Sequence, residues 1–161
     1  MAFSFKKLFG SKGSKPNKTV ARRKLSAVPE EAKRAACAIL LEVASIDGEF
    51  EQLELKELAK AFQTRFELPD DQLFDILTLA NEDLKHADDI GQFTDCINKH
   101  FSQEEKYDLM VLLWQVIFAD GILAKQEERF AKQIMNRLDL PQVLALKARD
   151  EAAEISHAWK S

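Results

Sequence analysis

One acidic phrase occurs twice in the chain, and its residue types are those that bind hard metal ions. Asp47-Gly48 is followed by Glu54, and Asp120-Gly121 is followed by Glu127, with the glutamate seven residues after the aspartate in each copy. Carboxylate oxygens are ligands that Ca²⁺ and Mg²⁺ prefer. Four carboxylates brought together repel one another unless a cation or protons compensate the charge. The candidate metal ligands, for Ca²⁺ or Mg²⁺, are therefore Asp47, Glu54, Asp120 and Glu127.

Helix-end chemistry also explains each copy when it is taken alone. A glycine after the aspartate ends a helix at little cost, because glycine readily adopts a positive φ. Glu54 and Glu127 then lie at about the third position of the next helix, where a carboxylate bonds backbone N–H groups and interacts with the helix dipole, worth about 0.3 to 1 kcal/mol. The acids are therefore either helix caps or ligands of one ion. The distance between the carboxylates of the two copies distinguishes these interpretations, because only an ion site requires them to be close together.

The spacing of Gly and Glu also matches the EF-hand loop, which has Gly at position 6 and Glu at position 12. Positions 1 and 3 of that loop require oxygen ligands. They do not fit here, because they correspond to Val43 and Ser45 in one copy and to Val116 and Phe118 in the other. We therefore reject the EF-hand interpretation.

Helical periodicity surrounds both copies, and no segment alternates convincingly as a strand. We predict helices at about 29–46, 51–65, 70–82, 87–100, 109–119, 124–138 and from 141 onward, with Asp70 as an N-cap. Ser102 and Glu105 have the spacing of a capping box before the fifth helix, which is apolar on nearly all sides and should lie at the centre. The predicted fold is a compact all-α bundle of two pseudo-repeated helical-hairpin halves.

The composition predicts one folded domain with a basic tail. The chain has 161 residues, of which 46% are hydrophobic, enough for a core. Residues 1–28 carry eight bases and no acid and are interrupted by glycine and proline, so we expect a disordered tail at 1–28 and a helical domain at 29–161. Cys37 and Cys96 lack metal-site spacing, and we interpret them as reduced core thiols.

The tail combines aromatic and basic side chains at its start, with Phe3, Phe5 and Phe9 around Lys6 and Lys7. It is a solvated leader without a partner, a contact to an anionic membrane surface through residues 1–24, or, as the least favoured alternative, a contact to nucleic acid or to an acidic protein. We expect no nucleic-acid partner. Because no apolar run is long enough for a membrane span, the expected location is the cytoplasm, peripheral to the inner membrane if the tail binds lipid.

Motifs of known enzymes are missing from the sequence. There is no Gly-rich phosphate loop, nucleophile elbow or H-E-x-x-H sequence, and the three histidines do not build a His-based metal site at a recognisable spacing. His86 and His100 are interpreted as helix-boundary residues rather than general bases. We predict that the protein is not an enzyme.

The repeated phrase in its context resembles the tellurite-resistance TerB family. The resemblance is carried by Val43 to Glu49 and Val116 to Gly121, each followed by the glutamate and later by a Leu-Pro step, and it covers about residues 33–150. The same segments are also similar to the helical domain of DjlA-type J-proteins. The resemblance implies a non-enzymatic, all-helical, two-half domain of bacterial stress-response systems, with metal binding through the repeated acids. The second copy has Ile122 where the first has Glu49, so further ligands there are in doubt.

Two hypotheses about function follow. The first is a cytoplasmic TerB-like binding module that brings protein partners together, or to a membrane, with a divalent cation held by the repeated acids. The second is a metal-free structural or adaptor protein, whose acidic helical surface docks a protein partner. Titration with metal ions separates the two.

Overall fold

The computed structural model describes residues 28–46, 52–118 and 125–160, with only the helical backbone for 52–55, 57 and 156–160. Within these ranges the chain forms seven α-helices and no strand, which confirms the predicted all-α fold. The helices are α1 (Glu30–Ala44), α2 (Gln52–Phe66), α3 (Asp70–Lys85), α4 (Gly91–His100), α5 (Gln103–Phe118), α6 (Lys125–Arg137) and α7 (Gln142–Lys160).

Helix α5 lies at the centre of the bundle, as its apolar composition predicts. It packs against α1, α2, α6 and α7. Four consecutive residues point in different directions around the helix, and none of them is more than 1% exposed: Met110, Val111, Leu112 and Leu113. The helix is longer than predicted and begins at Gln103, because the capping box at its start is formed: the Ser102 N–H donates to Glu105 at 2.7 Å, and the Glu105 N–H donates to the Ser102 hydroxyl at 3.2 Å.

Helix α1 is the second buried element and packs against α3, α4 and α5. Its inner faces carry many small side chains, and Ala32, Ala36 and Ala38 have no exposed surface. Small residues let neighbouring helix axes come close, which suits a helix covered on several sides. Val28, just before α1, is also buried in the core. The rest of the predicted tail, residues 1–27, lies outside the described ranges.

The helices α2 and α6 end in turns of the same kind. Glu67 has φ 53° and Asp139 has φ 56°, both in the left-handed region. The Leu68 N–H donates to the Gln63 carbonyl at 3.1 Å, and the Leu140 N–H donates to the Met135 carbonyl at 3.4 Å. This is the Schellman arrangement, which satisfies the last carbonyls of a helix.

Helix α3 begins at residue 70 as predicted but with a different cap residue, and the predicted start of α4 is wrong by four residues. Pro69, with φ −68° and ψ 160°, is the N-cap of α3, so Asp70 lies in the first turn instead, where its carboxylate accepts a hydrogen bond from the Gln63 side chain at 2.6 Å. Helix α4 begins at Gly91 rather than at 87. The Asp89 carboxylate accepts a hydrogen bond from the Gly91 N–H, which fixes the start at this position.

Candidate functional site

The structure describes only some of the four repeated acids. Glu54 is the third residue of α2 and Glu127 the third residue of α6, the helical position predicted for both. Asp47 and Asp120 lie outside the described residues, and so does the side chain of Glu54. Only Glu127 therefore has a described environment, and convergence of the four carboxylates remains a prediction.

Glu127 is deeply buried, with 3% of its surface exposed. Most other acids in first helical turns are not: Glu30, Glu31, Asp71 and Glu104 are exposed, and Glu128 next to it is partly exposed. A buried carboxylate is expensive unless hydrogen bonds, a cation or a proton compensate its charge. A carboxylate can interact with the helix dipole while it is exposed, so that interaction alone does not explain why Glu127 is buried.

Glu105 is the one other buried glutamate among the described residues, and it shows what a capping role looks like. It is also the third residue of its helix, and it is paired reciprocally with Ser102. The residue three positions before Glu127 is Ala124, which has no hydroxyl. A reciprocal capping pair of the Ser102–Glu105 kind is therefore not available to Glu127.

The helices that flank the two acidic phrases share one neighbourhood. Helices α1 and α5, which lead into the first and second phrase, pack against each other. Helices α2 and α6, which carry Glu54 and Glu127, both pack against α5. All four flanking helices are thus joined through α5.

A cluster of metal-ligating side chains, which the sequence analysis missed, lies where α1 packs on α4. Glu31, Cys96 and His100 place their ligand atoms within 4.8 Å of one another. The Glu31 Oε2 lies 3.2 Å from His100 Nε2 and 3.9 Å from Cys96 Sγ. Cys96 and His100 are one helical turn apart on α4, and that Cys-x-x-x-His spacing was the signal that could have drawn attention to them.

The two cysteines differ, although both are free thiols. Cys37 is buried in α1 as predicted, and burial raises the pKa of its thiol. Cys96 is only partly buried: it packs against the core from the edge of α4 that faces Glu31. Partial burial, followed by the negative charge of Glu31, raises the pKa of the Cys96 thiol, and the nearby Lys99 opposes that shift.

A second polar cluster joins α2, α5 and α7. The Arg65 guanidinium donates to the Asp108 carboxylate and, at 2.9 Å, to Glu151 Oε2. The Tyr107 hydroxyl donates to Glu151 Oε1 at 2.6 Å. Burial, and then the hydrogen bond to Glu151, raises the pKa of Tyr107 to about 12. These four groups satisfy one another, which indicates a structural network rather than a reactive centre.

Trp114 of α5 lies in the core. Its ring stacks on Phe118 at 5.6 Å between centroids, and the Arg149 guanidinium lies 5.1 Å from the Trp114 centroid. Beside it is a cavity of about 220 Å³ between α5, α6 and α7, lined in part by Met110, Met135 and the half-exposed Leu146. The cavity is mainly apolar, and two basic side chains also line it, Lys132 and Arg149, of which Arg149 lies over the Trp114 ring.

Across the described part of the chain, no helix is both long and apolar enough to cross a bilayer.

The comparisons with known proteins agree with the fold. No curated protein matches the chain, and no solved structure matches it. The family model described as tellurite resistance protein TerB matches residues 33–150, from the first turn of α1 to the middle of α7, and includes both acidic phrases. Because the match covers most of the chain, this protein belongs to the TerB family.

Proposed function

We propose that this chain is a non-enzymatic binding module of a bacterial stress-response system and that it binds a divalent cation, Ca²⁺ or Mg²⁺. The proposed ligands are the four repeated acids, Asp47, Glu54, Asp120 and Glu127. The observation that supports the proposal is the burial of the Glu127 carboxylate at the start of α6. Membership of the TerB family is consistent with a binding module.

The donor set fits a hard cation. All four side chains offer carboxylate oxygens, which Ca²⁺ and Mg²⁺ prefer, and Mg²⁺ commonly keeps several waters in its shell. Four acids with water can therefore complete such a site. Two acids from each half on one ion would link the two helical hairpins, so the cation would stabilise the arrangement of the halves as well as occupy a site.

Isothermal titration calorimetry and thermal unfolding test the proposal on the full chain with Ca²⁺, Mg²⁺ and Mn²⁺. We expect binding heat and a higher Tm with one of these ions, since a ligand that binds the folded state stabilises it. Glu127→Gln should abolish both effects. The matched control is Glu128→Gln, which changes the neighbouring, less buried acid of the same helical turn and should leave ion binding intact.

The result that contradicts the ion site is also clear. If no ion gives heat or a shift in Tm, the repeated acids are helix caps, and the module acts as a metal-free adaptor. The double variant Glu54→Gln with Glu127→Gln would then lower stability without changing the response to any ion.

The basic tail is the proposed membrane contact, through residues 1–24, and the proposed location is the cytoplasmic face of the inner membrane. Each base near an anionic surface contributes about 1 kcal/mol. Sedimentation with vesicles containing anionic lipid tests this directly. Deletion of residues 1–18 should release the protein from these vesicles. Binding that is unchanged by the deletion would show that the tail does not anchor the protein.

A further inference from the structure

Three side chains of different chemistry meet on the surface between α1 and α4. Glu31 belongs to the first turn of α1, while Cys96 and His100 lie one turn apart on α4. Glu31 is far from both in sequence, so the packing of α1 on α4 is what brings a carboxylate, a thiol and an imidazole together. Each of these groups is a common metal ligand in proteins.

The two distances from Glu31 Oε2 to the other ligand atoms are close to those of a tetrahedral metal shell. Bonds of about 2.3 Å to sulfur, about 2.0 Å to nitrogen and about 2.1 Å to oxygen, at tetrahedral angles, separate sulfur from oxygen by about 3.6 Å and nitrogen from oxygen by about 3.4 Å. The observed separations are 3.9 Å from Cys96 Sγ to Glu31 Oε2 and 3.2 Å from His100 Nε2 to the same oxygen. Adjustments of a few tenths of an ångström, within the reach of side-chain rotation, bring these two separations to the tetrahedral values, and the third, from Cys96 Sγ to His100 Nε2, lies within 4.8 Å.

We propose that Glu31, Cys96 and His100 form a binding site for Zn²⁺ or a similar borderline-soft divalent ion, with water in the remaining position. The ligands are one sulfur, one nitrogen and one oxygen, which suits Zn²⁺ and disfavours Ca²⁺ and Mg²⁺. The site differs from the repeated acids in its residues and its ion preference, and it does not depend on the function proposed for them.

The cluster is accessible and partly organised before metal binds. Glu31 has 65% of its side chain exposed and His100 has 24%, so an ion and its water can reach the ligand atoms from solvent. The hydrogen bond between His100 and Glu31 already holds two of the ligand atoms at the required separation. Binding releases the thiol proton of Cys96 to solvent, because the thiolate is the ligand, and it moves the Nε2 proton that His100 donates to Glu31 to Nδ1, because Nε2 must offer its lone pair to the ion. The positive charge of Lys99, one residue before His100, acts against the ion.

Co²⁺ is the probe for this site, since a cobalt–thiolate bond gives a charge-transfer absorption that oxygen-only sites do not give. Titration of the reduced full chain with Co²⁺ should give this band with saturation at one equivalent, and Zn²⁺ should displace it. Cys96→Ser should remove the band, while His100→Gln and Glu31→Gln should weaken binding at least tenfold. Circular dichroism would confirm that each variant remains folded, as expected for side chains on the surface.

Two variants serve as controls. His86→Gln changes an exposed histidine at the end of α3 that also lies beside a glutamate, Glu82, at 3.6 Å, and it should leave the cobalt band unchanged. Cys37→Ala removes the buried thiol and should also retain the band.

The outcomes separate this site from the proposed function. Glu127→Gln should leave the cobalt band intact, and excess Mg²⁺ should not compete for it, whether or not the repeated acids bind an ion. Absence of a thiolate band in the wild-type protein would overturn the proposal. So would a band of equal strength in Cys96→Ser, because the sulfur ligand would then be another thiol.

Discussion

Glu67 and Asp139 have the same left-handed backbone conformation, with φ of 53° and 56°, at the ends of α2 and α6. Each is followed by a buried leucine and then by a proline, and the same pair of backbone hydrogen bonds closes each turn. In the sequence the two turns occupy corresponding places, in Phe66 to Pro69 and Leu138 to Pro141. This local match supports the pseudo-repeat, which over the length of the two halves remains a prediction.

Asp139→Gly should stabilise the protein. A residue with a side chain in the left-handed region is strained by about 1 kcal/mol, and glycine removes that strain. Part of the gain is offset because glycine gives the unfolded chain more freedom. We expect an increase of about 0.5 kcal/mol in the free energy of unfolding, measured by chemical denaturation. A decrease would show that the Asp139 side chain contributes more than its backbone strain takes away.

Glu67→Gly is the matched comparison and should stabilise less. Lys33 of α1 is buried, which lowers the pKa of its ammonium, and the negative charges of Glu30 and Glu67 oppose that shift. Removal of Glu67 relieves the same backbone strain but leaves Lys33 with less compensation. The same denaturation experiment should therefore rank Asp139→Gly above Glu67→Gly. An equal gain in the two variants would mean that Glu67 does not help Lys33.

Arg65→Met should be strongly destabilising. Arg65 is 18% exposed, and its principal partner Asp108 is 4% exposed, so the substitution leaves a carboxylate in the interior without its guanidinium. Breaking a buried pair in this way costs about 3 kcal/mol. The comparison is Arg34→Met. Arg34 also donates two hydrogen bonds, both to the Asp83 carboxylate, but this pair is partly exposed, so we expect a loss of about 1 kcal/mol or less. Similar losses in the two variants would contradict the assigned role of burial.

Tyr107 gives the protein a defined response to alkaline pH. Its pKa is raised from 10.0 to about 12 in the folded state, so its contribution to stability is fully present below pH 10 and is lost as pH rises towards 12. The stability of the wild type should therefore fall relative to that of Tyr107→Phe over this range. Tyr107 is the single tyrosine of the chain, so tyrosinate absorbance follows it without ambiguity. A midpoint near 10 in the folded protein would rule out the hydrogen bond to Glu151 and the burial described for it.

Ser102→Ala should cost about 1 kcal/mol of stability, because it removes the acceptor for the Glu105 N–H at the start of the central helix. Ser45→Ala is a suitable control. The Ser45 hydroxyl donates only to the Glu42 carbonyl at the exposed end of α1, so its loss should be nearly neutral. Thermal unfolding of the two variants measures this difference, and Ser102→Ala should lower Tm more than Ser45→Ala. Equal shifts in Tm would show that the capping box does not stabilise α5.

Much of the fold follows from local sequence patterns. The apolar composition between Leu109 and Ile117 indicates the central helix, and Ser102 with Glu105 marks its beginning. The Leu-Pro steps mark the breaks before α3 and α7, since proline restricts the residue before it. Asp70 was assigned as a cap on side-chain preference alone, whereas the extended conformation of Pro69 makes that residue the boundary.

The sites depend on packing and are harder to predict. The spacing of Glu54 and Glu127 correctly indicates their place in their helices, but it does not give the burial of Glu127, which depends on where α6 packs. Glu31 and Cys96 are 65 residues apart, and no local pattern joins them. Their proximity depends on the crossing of α1 and α4, which only the assembled bundle provides.

The central position of α5 has a consequence for how the protein unfolds. Both α1 and α2 of the first half and α6 of the second bury apolar surface on this one helix, as does α7. Neither half can detach without exposing α5, so we expect a single cooperative transition rather than stepwise loss of two hairpins. The amide protons of α5 should then exchange with solvent only through global opening, at the slowest rates in the molecule.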